Sequence, residues 1–107
     1  MARKKLPPHV IENLRGLHHD SRALLESLAD RLSPEKVAQL RTFSDVGEWT
    51  FLVDDLCAVL VKRQVPVTPA ERDALAAVLA RFTMPKPDFR YLDDRDATLA
   101  ALTVLPS

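Results

Sequence analysis

Two pairs of adjacent carboxylates are the residues whose types and spacing come closest to catalytic chemistry. They are Asp54-Asp55 and Asp93-Asp94. Glycoside hydrolysis uses two carboxylates that flank the bond to be cleaved. Side-by-side acids usually form a solvated face instead, and neither pair has a glycosidase-like setting. The pairs therefore do not predict an active site.

The histidines and the cysteine offer no better catalytic arrangement. His18 and His19 are adjacent, so on a helix they point about 100° apart, and no ligand lies at the i,i+4 spacing that completes a zinc site. We predict that both lie on the surface. The single cysteine, Cys57, lies in an apolar stretch, where a buried and inert thiol is expected. No glycine-rich phosphate loop is present. We therefore expect no enzymatic activity and no metal or organic cofactor.

The composition predicts one helical domain. The chain has 107 residues, of which 47% are apolar and 28% charged, and only 2 are glycine, which favours helices over a turn-rich β fold. A formal net charge of zero argues against a nucleic-acid partner. No apolar run is long enough to span a membrane, and the basic start lacks the apolar core of a signal peptide. We expect a cytoplasmic protein without a membrane partner, with residues 1–6 as a flexible basic tail.

The stretch 47–63 is the predicted centre of the fold. At 100° per residue its large side chains form one broad apolar arc with Cys57 at the edge. Other apolar side chains, including Phe51, lie on the opposite side, so this helix needs neighbours on more than one side. Asp45 and Glu48 have the spacing of a capping box at its start. The arc consists of Trp49, Leu52, Val53, Leu56, Val59 and Leu60.

The remaining signals predict an all-α single-domain bundle of four to five helices, 1–107. The apolar spacing from Val10 to Leu32 favours one long helix, and Ser33-Pro34 begins a short one. Thr68 and Glu71 form a second capping box, and the helix after it stops before Met84-Pro85. We expect residues 86–92 to form a loop and the acids after it to cap a short last helix. The side chains expected to pack inward in these C-terminal parts are Leu75, Val78, Leu79, Phe82, Phe89, Tyr91, Leu92, Leu99, Leu102 and Val104.

The order of the helices also permits a helix-turn-helix, which would make the chain a small DNA-binding regulator. The segment 34–43 followed by 47–63 has the right outline. The second helix is mostly apolar, however, and its exposed charges include carboxylates, which repel phosphate. Protein recognition is therefore the favoured class of function.

The stretch 46–82 resembles a family of small helical immunity proteins. The matching residues are Val46-Gly47-Glu48-Trp49, then Leu52, Leu56-Cys57 and Leu60, then Val65-Pro66-Val67-Thr68-Pro69-Ala70-Glu71-Arg72 and Leu75. This pattern is similar to that of the MafI-like and contact-dependent-inhibition immunity proteins of bacterial polymorphic toxin systems. The resemblance implies a protein that binds and neutralises a cognate toxin domain inside the producing cell. Helix capping alone explains Gly47 and Glu48.

A toxin that acts on nucleic acids has a basic site, so clustered carboxylates are the expected contacts. The candidate partner-binding residues are Glu48, Phe51, Asp54, Asp55, Asp93 and Asp94. We favour Asp54 and Asp55, because capping engages Glu48 and because Arg90 and Arg95 dilute the charge of the second cluster. For Phe51 the competing interpretation is that helix 1 or the C-terminal segment covers it.

The alternative function is a helical adaptor or regulatory subunit. In that case the strip of α-helical neighbours around Phe51 would be the self-association face of a homodimer.

Overall fold

A central helix packs against other helices on more than one side. The computed structural model describes residues 7–83 and 85–106. The elements in chain order are α1 (Pro8–Leu28), a 3₁₀ turn (Ala29–Arg31), α2 (Pro34–Asp45), α3 (Trp49–Lys62), β1 (Pro66–Val67), α4 (Pro69–Leu79), α5 (Arg90–Asp93), α6 (Arg95–Ala100) and β2 (Thr103–Val104). The all-α bundle is confirmed, with six helices in the described ranges rather than four or five. The predicted basic tail at 1–6 lies outside these ranges.

The predicted centre of the fold is confirmed. The arc of α3 packs against α1 and α2, and α5 covers another side of the same helix. Cys57 is fully buried rather than at the edge of the arc, and Trp49 and Val59 are half-buried. The buried side chains of α3 are Leu52, Val53, Leu56, Cys57 and Leu60.

The first helix is continuous, as the spacing predicts, although its pattern is weak near Gly16. The guanidinium of Arg81 lies over this glycine, only 2.5 Å from the position that a Cβ would take. Arg81 forms an ion pair with Asp20 (3.0 Å) and donates a hydrogen bond to the side-chain oxygen Oδ1 of Asn13 (3.2 Å). The missing side chain therefore lets the turn after α4 dock on α1.

Two of the predicted helix starts are confirmed. The Ser33 hydroxyl accepts a hydrogen bond from the Lys36 amide (3.2 Å). At α4 the capping box is complete: the Thr68 hydroxyl accepts from the Glu71 amide, and the Glu71 carboxylate accepts from the Thr68 amide (3.1 and 2.8 Å). Both signals lie within four residues, so local sequence suffices to define them.

The predicted capping box at the start of α3 is wrong. Asp45 is the last residue of α2, and its carboxylate pairs with Arg22 (2.9 Å). Gly47 has φ +76°, and the Glu48 amide donates to the Phe43 carbonyl (2.8 Å), which closes a Schellman motif. Glu48 occupies the N-cap position without a side-chain cap. The left-handed turn that ends α2 thus carries Asp45 away from α3.

The end of α3 has the same left-handed turn as the end of α2, but without a glycine. Gln64 has φ +50°, and the Val65 amide donates to the Leu60 carbonyl (3.1 Å). Left-handed backbone is unfavourable for residues with a Cβ. Gln64, which follows the C-cap of α3 and precedes β1, therefore has a strained backbone.

The C-terminal segment differs most from the prediction. Residues 90–93 form α5 instead of a loop, and β2 pairs in parallel with β1, so that Val67 lies opposite Val104. Val104 is 39% exposed and does not pack inward, whereas Leu99 and Leu102 are half-buried against the core. Two-residue strands have too little sequence for an alternating pattern to reveal them.

Substitutions at Gln64 and Gly47, the residues with positive φ in the two left-handed turns, should change stability in opposite directions. We expect Gln64→Gly to raise the free energy of unfolding by about 0.5–1 kcal/mol, since glycine adopts positive φ without steric cost. Gly47→Ala should lower it by about 1 kcal/mol. Urea denaturation measures both. Gln39→Gly, in the exposed face of α2, is the control and should lower stability by about 1 kcal/mol. A destabilised Gln64→Gly variant would contradict the assignment of strain.

A buried carboxylate joins α1 and α4. Glu71 accepts hydrogen bonds from Arg31 (2.6 Å), from the Ser27 hydroxyl and from the Thr68 amide. Burial alone raises the pKa of Glu71, but these three donors outweigh it and lower the pKa from 4.5 to about 2. The charged form is therefore the one that the folded chain stabilises.

Acid should weaken the fold through this group. Because the folded pKa lies below the unfolded value, the contribution of Glu71 is complete above about pH 5 and disappears as the pH falls towards 2. We expect Glu71→Gln to lower stability by on the order of 3 kcal/mol at neutral pH, and the difference from the parent chain to close near pH 2. Urea denaturation across this range tests it, with the exposed Glu35→Gln as control. A difference that does not depend on pH would contradict the prediction.

Candidate protein interaction surface

Three phenylalanine rings meet at the surface beside α3. Phe51 lies on the side of α3 opposite Trp49 and is 49% exposed. Its ring stacks on Phe43 of α2, with centroids 5.9 Å apart, and meets Phe89 edge-on at 5.2 Å. Phe43 and Phe89 are half-buried. We call these three residues the aromatic surface. The C-terminal segment thus contacts Phe51, as one interpretation of the sequence held, but half of its side chain stays exposed.

Asp54 is engaged within the fold. One carboxylate oxygen accepts hydrogen bonds from the amides of Tyr91 (2.9 Å) and Leu92 (3.2 Å) in the first turn of α5. The side chain is half-buried. The expectation that Asp54 is freer than the other acids is wrong, because a helical wheel of α3 contains no information on where α5 docks.

Asp55 is also engaged, through a different partner. Its carboxylate pairs with Lys36 of α2 (3.0 Å), and both side chains are about 30% exposed or less. The positive charge of Lys36 offsets the negative charge of Asp55 at the flank of the aromatic surface. The preference for Asp55 over the C-terminal acids is therefore not supported by the geometry.

Glu48, Asp93 and Asp94 retain exposed charge. In the described part of the chain Glu48 makes no ion pair or side-chain hydrogen bond, and it lies one turn before Phe51. Asp93 accepts from the Lys86 amide (2.8 Å), and Asp94 caps α6 by accepting from the Ala97 amide (3.3 Å). These neutral donors leave the carboxylates charged, and all three side chains are exposed.

The arginine at position 95 offsets these acids less than its place in the sequence indicates. Arg95 is half-buried and donates to the Phe82 carbonyl (3.1 Å), which directs its guanidinium towards the bundle. Arg90 lies 5.9 Å from the centre of the Tyr91 ring. The four aspartates of this segment, Asp88, Asp93, Asp94 and Asp96, are all exposed, whereas only Arg90 is exposed among its three cations, Lys86, Arg90 and Arg95.

The structure brings most of the sequence-predicted site residues together. Phe51 and Asp54 are one turn apart on α3, and Asp54 holds the segment that carries Phe89 and Asp93. Sequence reasoning assigned Phe89 to the interior and missed the contacts of both Phe43 and Phe89 with Phe51. Three of the 4 phenylalanines of the chain lie in this cluster, but nothing in their spacing indicates that they meet.

A second apolar surface lies on the other side of α3. The N-terminal half of α1 and the start of α3 enclose an open groove, which we call the α1–α3 groove, with Ile11 37% exposed at its edge. The buried hydroxyl of Ser44 borders it and has no hydrogen-bond partner among the described residues. The groove is lined by Ile11, Leu14, Arg15, His18, Ser44, Asp45, Gly47 and Trp49.

His18 and Cys57 are both engaged by contacts within the fold. His18 accepts a hydrogen bond from the Trp49 indole (3.1 Å), and burial raises the pKa of the Cys57 thiol to about 12, with the charge of Asp54 adding to the effect. Within residues 7–83 and 85–106, no group of three or more His, Cys, Asp and Glu side chains is placed to hold a metal ion. What the surface offers is binding chemistry: aromatic rings for apolar groups and carboxylates for cations.

No protein-family model, no curated protein and no solved structure matches this chain. Among the helices of the described part, none combines the length and apolar character needed to cross a bilayer. The order of its elements therefore defines the fold class of the chain as an all-α bundle.

Proposed function

We propose that this chain is an immunity protein, which binds a cognate bacterial polymorphic toxin domain inside the producing cell and neutralises it by direct contact. The observation that carries the proposal is the aromatic surface, where a half-exposed Phe51 lies between two other rings, one turn after the exposed Glu48. The resemblance of residues 46–82 to small helical immunity proteins supplies the class of partner.

The chemistry of this surface suits a tight protein contact. Large, rigid aromatic side chains near the centre of an interface contribute most of the binding free energy. Phe51 is already held by Phe43 and Phe89, so little side-chain entropy is lost when a partner covers it. Phe51 is therefore the proposed anchor.

The charge of the surface favours a basic partner. Glu48 and Asp93 are exposed and lack a cation within ion-pair distance in the described ranges. Opposite charge on a partner accelerates the encounter and fixes its orientation. A toxin that acts on nucleic acids has a basic active site, and occupying that site would block its reaction without catalysis by the inhibitor.

Binding to the toxin domain encoded beside the gene of this chain tests the proposal. We expect Phe51→Ala to weaken binding by roughly 30-fold or more, as truncation of an interface anchor does. We expect Glu48→Lys to slow association by about 2- to 10-fold, with a smaller effect at high salt. Surface plasmon resonance gives both rate constants, and co-expression of the toxin domain shows whether growth is rescued.

Asp73→Lys is the matched control for charge. Asp73 is 79% exposed on α4, which contributes nothing to the aromatic surface, so this variant should bind like the parent chain. Circular dichroism confirms that each variant is folded. The proposal is wrong if the parent chain neither binds this toxin domain nor rescues growth.

The α1–α3 groove favours a second candidate, a homodimeric adaptor. A two-fold dimer through the aromatic surface would bring two sets of exposed carboxylates together, which repel each other. The groove carries Arg15 and Asp45 on its borders and is mainly apolar, so it suits a second copy better than the strip around Phe51 does.

Sedimentation of the isolated chain distinguishes the two candidates. If the adaptor is correct, the chain sediments as a dimer, Ile11→Asp makes it monomeric because a charge enters the apolar contact, and Phe51→Ala leaves it dimeric. A monomer at all micromolar concentrations excludes the dimeric adaptor.

A further inference from the structure

Helix α5 is too short to be stable by itself. It has four residues, and its N-cap residue is Phe89, whose side chain cannot accept a hydrogen bond. The second and third residues of a helix have amides without a partner inside that helix, and an N-cap side chain normally accepts from them. In α5 these residues are Tyr91 and Leu92.

Asp54 supplies the missing acceptor from another helix. Its carboxylate oxygen accepts from both of these amides, at 2.9 and 3.2 Å. It thus acts as the N-cap of α5, although it lies 37 positions earlier than Tyr91 in the chain. Thr98 adds a bond on the other side of the segment, from its hydroxyl to the Tyr91 carbonyl (2.9 Å).

This cap connects the two halves of the aromatic surface. Phe51 and Asp54 lie one turn apart on α3, while Phe89 is the N-cap residue of α5 and Asp93 is its last residue. Leu92 is fully buried, so the cap and this side chain together hold α5 on α3. The edge-on contact between Phe51 and Phe89 depends on that position.

We propose that Asp54 is a positioning residue of the partner-binding surface: it holds Phe89 and Asp93 beside Phe51 and does not itself contact the partner. This role rests on the proposed function. In this role Asp54 acts through the hydrogen bonds that it accepts. Its negative charge does not contact the basic partner. The two tasks respond differently to substitution.

Asparagine and alanine separate hydrogen bonding from charge. The amide oxygen of Asp54→Asn accepts from the same two amides, whereas Asp54→Ala provides no acceptor. Both variants remove the charge. A residue that binds the toxin by charge would be impaired equally by both, and a capping residue only by alanine.

Hydrogen exchange of the free chain tests the cap. In Asp54→Ala we expect the amides of Tyr91 and Leu92 to exchange roughly 2- to 30-fold faster, the change that loss of an N-cap produces. The amides of α1 should be unaffected, and Asp54→Asn should stay close to the parent chain. Asp55→Ala is the control, because the neighbouring Asp55 pairs with Lys36 and makes no bond to α5. Unchanged exchange in Asp54→Ala would overturn the proposal.

Binding of the toxin domain encoded beside the gene tests the consequence. We expect Asp54→Ala to bind at least about 10-fold more weakly and Asp54→Asn to bind within about 3-fold of the parent chain. Equal loss in both variants would show that the charge contacts the toxin and would overturn the proposal. If the parent chain does not bind, the proposed function fails and the proposed role of Asp54 falls with it, while the exchange result still establishes whether Asp54 caps α5.

Discussion

The burial of α3 on several sides is the constraint on which the fold depends. Full burial of a leucine side chain contributes about 1.5–3 kcal/mol, and α3 buries Leu52, Leu56 and Leu60 completely or nearly so. A helix of this composition is stable only when α1, α2 and α5 all cover it. Phe51 is the one large apolar side chain of α3 that its neighbours leave exposed. Its exposure therefore contrasts with the rest of the helix, and this contrast makes it a candidate contact.

Many acidic and hydroxyl side chains of this chain act as acceptors for backbone amides. Ser33 and Thr68 cap their own helices, and Asp94 caps α6. Asp54 performs the same task for a helix elsewhere in the sequence. An acid in such a bond keeps its charge, but its position is determined by the backbone, so the number of acids in a cluster is a poor guide to those a partner can reach.

The parts of the fold that depend on neighbouring residues could be predicted from the sequence. Helices α1 to α4 follow from apolar spacing, and the starts at Ser33 and Thr68 follow from signals within four residues. The start of α3 was predicted incorrectly because two local signals compete there. Asp45 and Glu48 have capping spacing, but Gly47 ends α2 with a left-handed turn that separates them.

The candidate site depends on contacts that are distant in the sequence. Phe51 meets Phe89 and Asp54 meets Tyr91 only after α5 docks on α3. The wheel of α3 correctly places Phe51 and Asp54 on a common strip, but it cannot distinguish an acid that caps another helix from one that faces solvent. For the same reason, sequence patterns do not reveal that Asp55 pairs with Lys36 or that Arg95 points towards the bundle.

The two apolar surfaces differ in charge, and this difference separates the partners that suit them. The aromatic surface lies beside the exposed Glu48 and includes the segment that carries the exposed aspartates, and this charge suits the basic partner proposed for it better than a second copy. On the opposite side of α3, the groove around Trp49 has one cation and one acid at its borders and has no such bias. Because α3 separates the surfaces, occupation of the groove would leave the aromatic surface accessible. The proposed self-association through the groove and the proposed toxin binding through Phe51 are therefore compatible in one molecule, and separate substitutions should remove each without the other.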